Sequence, residues 1–185
     1  MRRIVGLVAL ALVSTSCRSM LEVHESYRFE EHPRMGLVVV STRIKSECGT
    51  GAAVEFESTK GDPGSIVFDN SMVEPDFKDP TGYFWVMQLP AGRYKFHKLQ
   101  LGARYSSRAP INAGFTVTEG QTTYLGELRM EVQGCQRYDL RVLDRWEDRD
   151  AQLFGARMKN VTAASVGKQI LEIPARVPVP ASAAR

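Results

Sequence analysis

Apolar and polar residues alternate in several short segments between residues 35 and 143, and this pattern predicts a mainly β protein. Met35–Ile44 contains the apolar run Leu37–Val40, which predicts a first strand that is buried on both faces. Ala52–Glu57 alternates apolar with acidic residues, as expected for a half-buried strand. Ser65–Asp69 predicts a third, short strand.

The stretch Asp79–Gly102 is rich in aromatic residues and predicts a strand, a turn and a second strand. Within Tyr83–Leu89 both alternating faces are apolar, so this strand should be central and covered on both sides. Leu89–Gly92 reads Leu-Pro-Ala-Gly, which is turn chemistry because Pro fixes φ near about −65° and Gly accepts a positive φ. After the turn the apolar alternation shifts by one residue, which predicts a β-bulge near His97 and Lys98.

Gln121–Leu143 predicts a hairpin. A three-residue loop at Gly134–Gln136 places the apolar residues of both arms on the same face, whereas a two-residue loop would mismatch the faces. The predicted opposed pairs are Val132 with Tyr138, Met130 with Leu140, and Leu128 with Val142. The charged residues between them, Arg129, Glu131, Asp139 and Arg141, are then expected on a solvated outer face.

A helix is predicted directly after the hairpin. Asp144 supplies an N-cap, and Glu147 follows three residues later, as in a capping box. Residues at spacings of three and four form one mainly apolar face that can pack on the sandwich; they are Trp146, Asp150/Ala151, Phe154 and Met158. We interpret Asp150 and the other acidic residues of the first turns as favourable charges at the helix N-terminus, not as acid/base catalysts.

The segment Gly82-x-Phe84-x-x-x-x-Leu89-Pro-Ala-Gly92-x-Tyr94-x-Phe96 resembles the signature of carboxypeptidase-regulatory-like domains, relatives of the prealbumin-like β-sandwich. In that family one strand ends in Leu-Pro-x-Gly, and the next opens with a Tyr that packs into the core. The resemblance covers roughly residues 35–143 and implies a noncatalytic module. Together with the helix, it implies an Ig-like or prealbumin-like antiparallel β-sandwich of about seven strands with one C-terminal helix.

The N-terminus has the features of an export signal. Arg2 and Arg3 precede the apolar run Ile4–Val13, and the small residues Ser14–Ser16 lead to Cys17. This arrangement resembles the lipobox of bacterial lipoproteins, in which the leader is cleaved before the cysteine and the cysteine is acylated. The resemblance implies a lipid anchor on Cys17, and the lack of Asp at position 18 implies the outer membrane, facing the periplasm or the cell surface. The alternatives are a secreted protein in which the cysteine is incidental and a leader that stays uncleaved as an anchor.

These patterns divide the chain of 185 residues into four parts. Residues 1–16 form the signal peptide, and residues 17–33 form the lipidated N-terminus and a polar tether. Residues 34–159 form the sandwich with its helix, and residues 160–185 form an extended, partly disordered tail in which Ile170–Ile173 adds an edge strand. The net charge of +3 is small and not concentrated on one segment, so no nucleic-acid partner is predicted.

Cys48 and Cys135 remain after the lipidated cysteine, and we expect them to form a disulfide in an oxidising compartment. The bond would close a loop of about 90 residues, for which chain entropy gives about 4–5 kcal/mol. Two cysteines without suitably spaced histidines cannot complete a zinc shell. Glu74, Asp76 and Asp79 share a loop but lack the calcium-loop spacing. We therefore predict no metal, no cofactor and no catalytic residue.

Three function classes stay open. The favoured one is a noncatalytic envelope lipoprotein, held at the membrane through Cys17, whose sandwich binds a partner protein or an envelope component. The alternative is a glycan-binding module that uses Tyr83, Trp85 and Tyr105 as a stacking platform, although aromatics on a two-faced apolar strand more often belong to a core. The least favoured is an envelope hydrolase, for which His97 is the histidine within the predicted sandwich.

Overall fold

The computed structural model describes residues 23–47, 51–69, 73–101, 105–106, 113–133 and 137–173. The described residues form eleven strands in two sheets. The strands are β1 (Met35–Ser46), β2 (Ala52–Ser58), β3 (Pro63–Val67), β4 (Phe77–Lys78), β5 (Thr81–Pro90), β6 (Gly92–Leu101), β7 (Tyr105–Ser106), β8 (Gly114–Val117), β9 (Thr122–Gln133), β10 (Arg137–Leu143) and β11 (Val166–Lys168). A π-helical turn at Trp146–Asp150 leads into the α-helix α1 (Ala151–Arg157), and short 3₁₀ turns lie at Phe29–Glu31 and Ala163–Ser165.

The first sheet has the strand order β10-β9-β1-β5-β4, with β11 also paired to β9. The second sheet has the order β3-β2-β6, and β7 and β8 both pair with β6. The predicted mainly β sandwich with a C-terminal helix is confirmed. The predicted count of about seven strands is wrong, because β4, β7 and β11 are too short to show an alternating pattern. The expectation of purely antiparallel sheets is also wrong, because β9 runs parallel to both β1 and β11.

The hairpin β9–β10 has the predicted register. Val132 lies opposite Tyr138, Met130 opposite Leu140, and Leu128 opposite Val142. The three-residue loop between the two strands lies outside the described residues. The agreement follows from the alternation itself, because a register shifted by one residue would have turned core residues to the solvent side.

The core lies between the two sheets and receives alternate residues of each strand. On β5, Tyr83, Trp85 and Met87 point into this core. Phe84 and Val86 point to the opposite side of the same sheet and join a second apolar cluster. The four residues of Leu37–Val40 on β1 are fully buried. The predictions that β1 and β5 are covered on both faces are therefore confirmed.

The outer face of the first sheet is covered by segments from both ends of the chain. The predicted apolar face of the helix packs there through Trp146, Phe154 and Met158. Tyr27 is also buried in this layer and stacks on His32, with ring centroids 4.6 Å apart. The described part of the predicted tether, residues 23–33, therefore contacts the domain.

The segment after the helix differs from the sequence expectation. Ile170–Ile173 was predicted as an edge strand, but the observed strand is the earlier β11. Leu171 is buried in the core between the sheets, and its N–H donates to the carbonyl of Leu125. Ile173 also packs on this core, whereas Ile170 packs on the outer cluster, so the segment supplies apolar side chains to both clusters. No helix in the described part of the chain is long and apolar enough to cross a bilayer.

The predicted β-bulge lies in β6. Phe96 pairs with Phe56 and Lys98 pairs with Glu55, so His97 is an extra residue with no partner position on β2. The bulge keeps Phe96 and Leu99 on the core side although they are three positions apart.

Candidate functional site

The outer face of the second sheet carries an open groove. Because alternate residues of β2 and β6 face the core, the residues between them form this outer face. The groove has a volume of about 730 Å³. The polar residues that line it include Glu55, Glu57, Asp62, Ser65, His97 and Gln100. We refer to it as the β2–β6 groove.

The bulge residue His97 is set within a small group of charges. Nε2 of His97 lies 3.7 Å from Oε2 of Glu55. Lys98 donates a 2.9 Å hydrogen bond from Nζ to Oε1 of the same carboxylate. Nδ1 of His97 is buried and has no hydrogen-bond partner among the described residues, although the side chain as a whole is 32% exposed. The imidazole therefore has one nitrogen beside a carboxylate and one that is buried without a described partner.

The β2–β3 turn fixes Asp62 at one side of the groove. Ser58 donates from Oγ to Oδ2 of Asp62 at 3.1 Å, and Oγ also accepts the backbone N–H groups of Lys60 and Asp62. Gly61 adopts φ 87° in this turn, a value that favours glycine. Glu57 and Asp62 form no ion pair with any described lysine or arginine, although Lys95 lies directly opposite Glu57 on β6. The residues that line the groove include three carboxylates and no lysine or arginine, so the lining is negatively charged.

The predicted aromatic platform does not lie on the surface. Tyr83 and Trp85 are 3% and 9% exposed and belong to the core between the sheets. Their rings stack at 5.3 Å, and Nε1 of Trp85 donates to the carbonyl of Val67 at 3.1 Å. The side chain of Tyr105 lies outside the described residues. Tyr83 and Trp85 are therefore not available to stack on a glycan, because both faces of β5 are covered.

A second polar centre is buried on the outer face of the first sheet, beneath the start of the helix. Asp150 is 0% exposed. Its Oδ2 accepts 2.7 Å hydrogen bonds from the hydroxyls of Ser41 and Tyr124, and its Oδ1 accepts a 2.7 Å hydrogen bond from Nε of Arg149. Nη2 of Arg149 also donates to Oγ of Ser41 at 3.0 Å. We call this set of four residues and its neighbour Glu127 the Asp150 cluster.

Glu127 adds a second buried carboxylate, at 1% exposure. Nη1 of Arg149 lies 2.7 Å from Oε2 of Glu127, an ion pair whose angle is not that of a hydrogen bond. Nε of Arg43 lies 4.0 Å from the same oxygen. Both guanidinium groups also lie over the ring of Phe77, at 4.0 Å for Arg149 and 4.9 Å for Arg43. The ring and the two cations thus shield the carboxylate from solvent.

Two backbone irregularities build the Asp150 cluster. Val39 pairs with Tyr124 and Ser41 pairs with Glu127, so β9 has one extra residue between these pairs. Gly126, with φ 103°, lies in this bulge, which places Tyr124 and Glu127 on the same outer face. On the helix, the N–H of Asp150 bonds the carbonyl of Arg145, a π-helical spacing. Arg149 and Asp150 then both reach the sheet, although they are adjacent in sequence.

The electrostatics of the cluster follow from burial and pairing. Burial, followed by the hydrogen bond to Asp150 and its charge, raises the pKa of Tyr124 well above its ordinary value. Burial acts to lower the pKa of Arg149, but the hydrogen bond to Asp150 and the negative charges of Asp150 and Glu127 outweigh it, and the pKa is raised. Burial lowers the pKa of Arg43. The cluster thus combines a protonated phenol with the Arg149 cation, and Arg43 lies beside it.

The sequence interpretation of Asp150 as a helix-terminal charge is wrong. Asp150 lies four residues after Trp146 and four before Phe154, and therefore on the apolar face of the helix. This position indicates a buried carboxylate with hydrogen-bond partners on the sheet. Asp144 does act near the helix start, since its Oδ1 accepts the N–H of Trp146 at 3.0 Å. Glu147 does not complete a capping box but lies 3.1 Å from Nζ of Lys168.

The remaining predicted site residues divide into two groups. Cys17, Cys48 and Cys135 lie outside the described residues, so the lipid anchor and the disulfide stay predictions. Asp76, from the acidic loop, accepts the N–H of Phe84 at 2.7 Å and pairs with Arg157. Within the described ranges, no group of three His, Cys, Asp or Glu side chains is placed to hold a metal ion.

Comparisons with known proteins assign no family to the chain. No protein-family model matches it, and no curated protein matches it. A solved leucine-rich repeat protein from Bacteroides thetaiotaomicron VPI-5482 overlaps with 54% of this chain and with 14% of its own length, at 12% identity and a TM-score of 0.32. The chain thus spans a small part of that protein, and a likeness of this size supports no inference about fold or function.

Proposed function

We propose that the protein is a noncatalytic lipoprotein of the bacterial outer membrane, anchored through Cys17, whose β-sandwich binds a partner protein of the envelope through the β2–β6 groove. The observation that carries this proposal is the contrast between the two outer faces. The helix and the N-terminal segment cover much of the first sheet, whereas the groove leaves the second sheet open. A sandwich that covers one face with its own chain and leaves the other open has a surface suited to recognition.

The chemistry of the groove favours a basic segment of the partner. Glu57 and Asp62 line the groove and form no ion pair with a described lysine or arginine. Ala53 and Val67 add apolar surface between these polar groups. An extended peptide could pair a lysine or an arginine with these carboxylates and place a small apolar residue on the apolar surface between them.

Site-specific photo-cross-linking in living cells tests the proposal. A photoreactive amino acid at Gln100 in the groove should give one defined adduct from the full chain. The same amino acid at Asp148, on the helix and away from the groove, should not give that adduct. The charge reversal Glu57→Lys should abolish the adduct, whereas the matched reversal Asp148→Lys, at a side chain that is 65% exposed, should leave it.

The two cross-linking positions and the Glu57→Lys variant also define the results that would overturn the proposal. An adduct that forms equally from both positions, or that persists in Glu57→Lys, would show that the groove is not the binding surface. Mass spectrometry of the adduct should place the cross-linked site within a basic stretch of an envelope protein. A cross-link to an acidic stretch would refute the predicted chemistry.

A further inference from the structure

Among the strands that the structure describes, β10 lies at one end of the first sheet, and its outer-face charges are complementary to those of a second copy of itself. β10 pairs with β9 on one side and is the terminal strand of the sheet order. Within the described ranges, no other strand pairs with its second side. An edge strand presents backbone N–H and C=O groups that another strand can satisfy.

The outer-face charges of β10 are mismatched with those of its neighbour β9. Asp139 lies directly opposite Glu131, and Arg141 lies directly opposite Arg129. The charges pair along each strand instead, as Arg129 with Glu131 and Arg141 with Asp139. Like charges that face each other directly across an antiparallel pair are destabilising. The hairpin therefore satisfies these charges along each strand and diagonally between Arg141 and Glu131, but not between the directly opposed positions.

The same charges match if β10 meets another β10. Two identical antiparallel strands are related by a twofold axis, and the axis must pass through a residue so that inner-face residues oppose inner-face residues. An axis at Leu140 places Asp139 of each copy opposite Arg141 of the other. An axis at Asp139 or at Arg141 would place identical charges opposite each other. An axis at Tyr138 would also place Asp139 opposite Arg137, but it would leave Arg141 opposite a position beyond the strand. The register at Leu140 is thus the one that matches the faces and pairs both Asp139 and Arg141 with opposite charges.

We propose that β10 pairs antiparallel with β10 of a second copy of this chain, about a twofold axis at Leu140, to form one continuous sheet. On the outer face the four charges of the two strands then alternate in sign along and across the strands. On the inner face Leu140 lies opposite its own copy, and Tyr138 lies opposite Val142. This contact uses the first sheet, so it is separate from the β2–β6 groove on the second.

Charge-swap variants of the full chain test this register. Two copies with different C-terminal tags are expressed together, extracted in a mild nonionic detergent, and captured through one tag. Wild-type copies should be recovered together. Recovery should fall at least about tenfold when both copies carry Asp139→Arg, or both carry Arg141→Asp, because each contact then joins like charges (tenfold is about 1.4 kcal/mol).

Mixing the two variants gives the decisive result. When one copy carries Asp139→Arg and the other carries Arg141→Asp, both contacts again join opposite charges, and recovery should return to the wild-type level. That return also shows that each variant is folded. Glu131→Gln on β9, which faces the same solvent side but lies one strand from the edge, should leave recovery unchanged. Wild-type copies that never associate, or an association that is equal in like and mixed pairs, would overturn the proposal.

Discussion

The hydroxyl of Tyr124 donates a 2.7 Å hydrogen bond to Oδ2 of Asp150, a residue 26 positions later in the chain. The bond joins β9 to the π-helical turn and is fully buried. The backbone N–H of Arg145 donates to the same hydroxyl at 3.2 Å, so the phenol links the carboxylate to the start of the helix. The helix is thereby fixed to the sheet by a directional polar contact as well as by the packing of Trp146 and Phe154.

We expect Asp150→Ala to lower the free energy of unfolding by about 3–5 kcal/mol. The change leaves the hydroxyls of Ser41 and Tyr124 without their acceptor and removes one of the two carboxylates that neutralise Arg149. Urea denaturation of the full chain, followed by circular dichroism, measures the loss. Asp148→Ala, at an exposed position two residues earlier, should change stability by no more than about 0.5 kcal/mol. Equal effects of the two variants would contradict the role assigned to the cluster.

Tyr124 should make stability depend on pH in the alkaline range. Its pKa in the folded state is raised, first by burial and then by Asp150, whereas the unfolded chain has the ordinary value of about 10. Below that pH the phenol is protonated in both states. Above it the unfolded state loses the proton while the folded state keeps it, so the free energy of unfolding falls as pH rises. Tyr124→Phe should therefore show a shallower decline than the wild type in urea titrations between about pH 9 and 11.

The stability difference between the wild type and Tyr124→Phe should itself change with pH. At pH 7 Tyr124→Phe should already be less stable by about 1–2 kcal/mol, because Asp150 loses one hydrogen-bond donor. The difference between the two proteins should then narrow as pH rises above about 10. A constant difference across this range would show that Tyr124 does not ionise differently in the folded and unfolded states.

The sequence predicts those features that depend on alternation along one strand. The register of β9 with β10 and the bulge at His97 are both confirmed, because a misplaced face would expose core residues. The sequence does not predict the parallel pairing of β1 with β9, since these strands are far apart in the chain and alternation carries no information about direction. It also fails for Asp150, whose partners come from β1 and β9 and meet only in the folded protein.

Deletion of His97 should leave the fold intact. His97 is the extra residue of the bulge, so its removal gives β6 a regular alternation with Phe96 and Leu99 still in the core. We expect a loss of no more than about 1–2 kcal/mol, as for an ordinary point change. Deletion of Lys95 instead forces Tyr94 or Phe96 out of the core, at a cost of about 3–5 kcal/mol. Denaturant titration of the two deletion variants compares them, and a His97 deletion as damaging as the Lys95 deletion would contradict the bulge assignment.

Cys17 should incorporate radiolabelled palmitate in bacterial cells. The expectation follows from the basic head, the apolar run and the small residues that precede the cysteine. Cys17→Ser should abolish the label and release the protein from the membrane fraction, because the anchor depends on the acyl chains. A matched Cys48→Ser variant should keep both the label and the membrane association. Label that persists in Cys17→Ser would refute the anchor.

Cys48 and Cys135 should form a disulfide in the exported protein. Both cysteines lie outside the described residues, but Ser46 on β1 lies beside Val132 on the parallel strand β9. β1 and β9 therefore reach the same end of the sheet side by side. Cys48 follows Ser46 by two residues, and Cys135 follows Val132 by three. Thiol alkylation of the denatured full chain, with and without prior reduction, should reveal two additional thiols only after reduction. In Cys48→Ser one thiol should react without reduction, and two thiols that react in the unreduced wild type would contradict the bond.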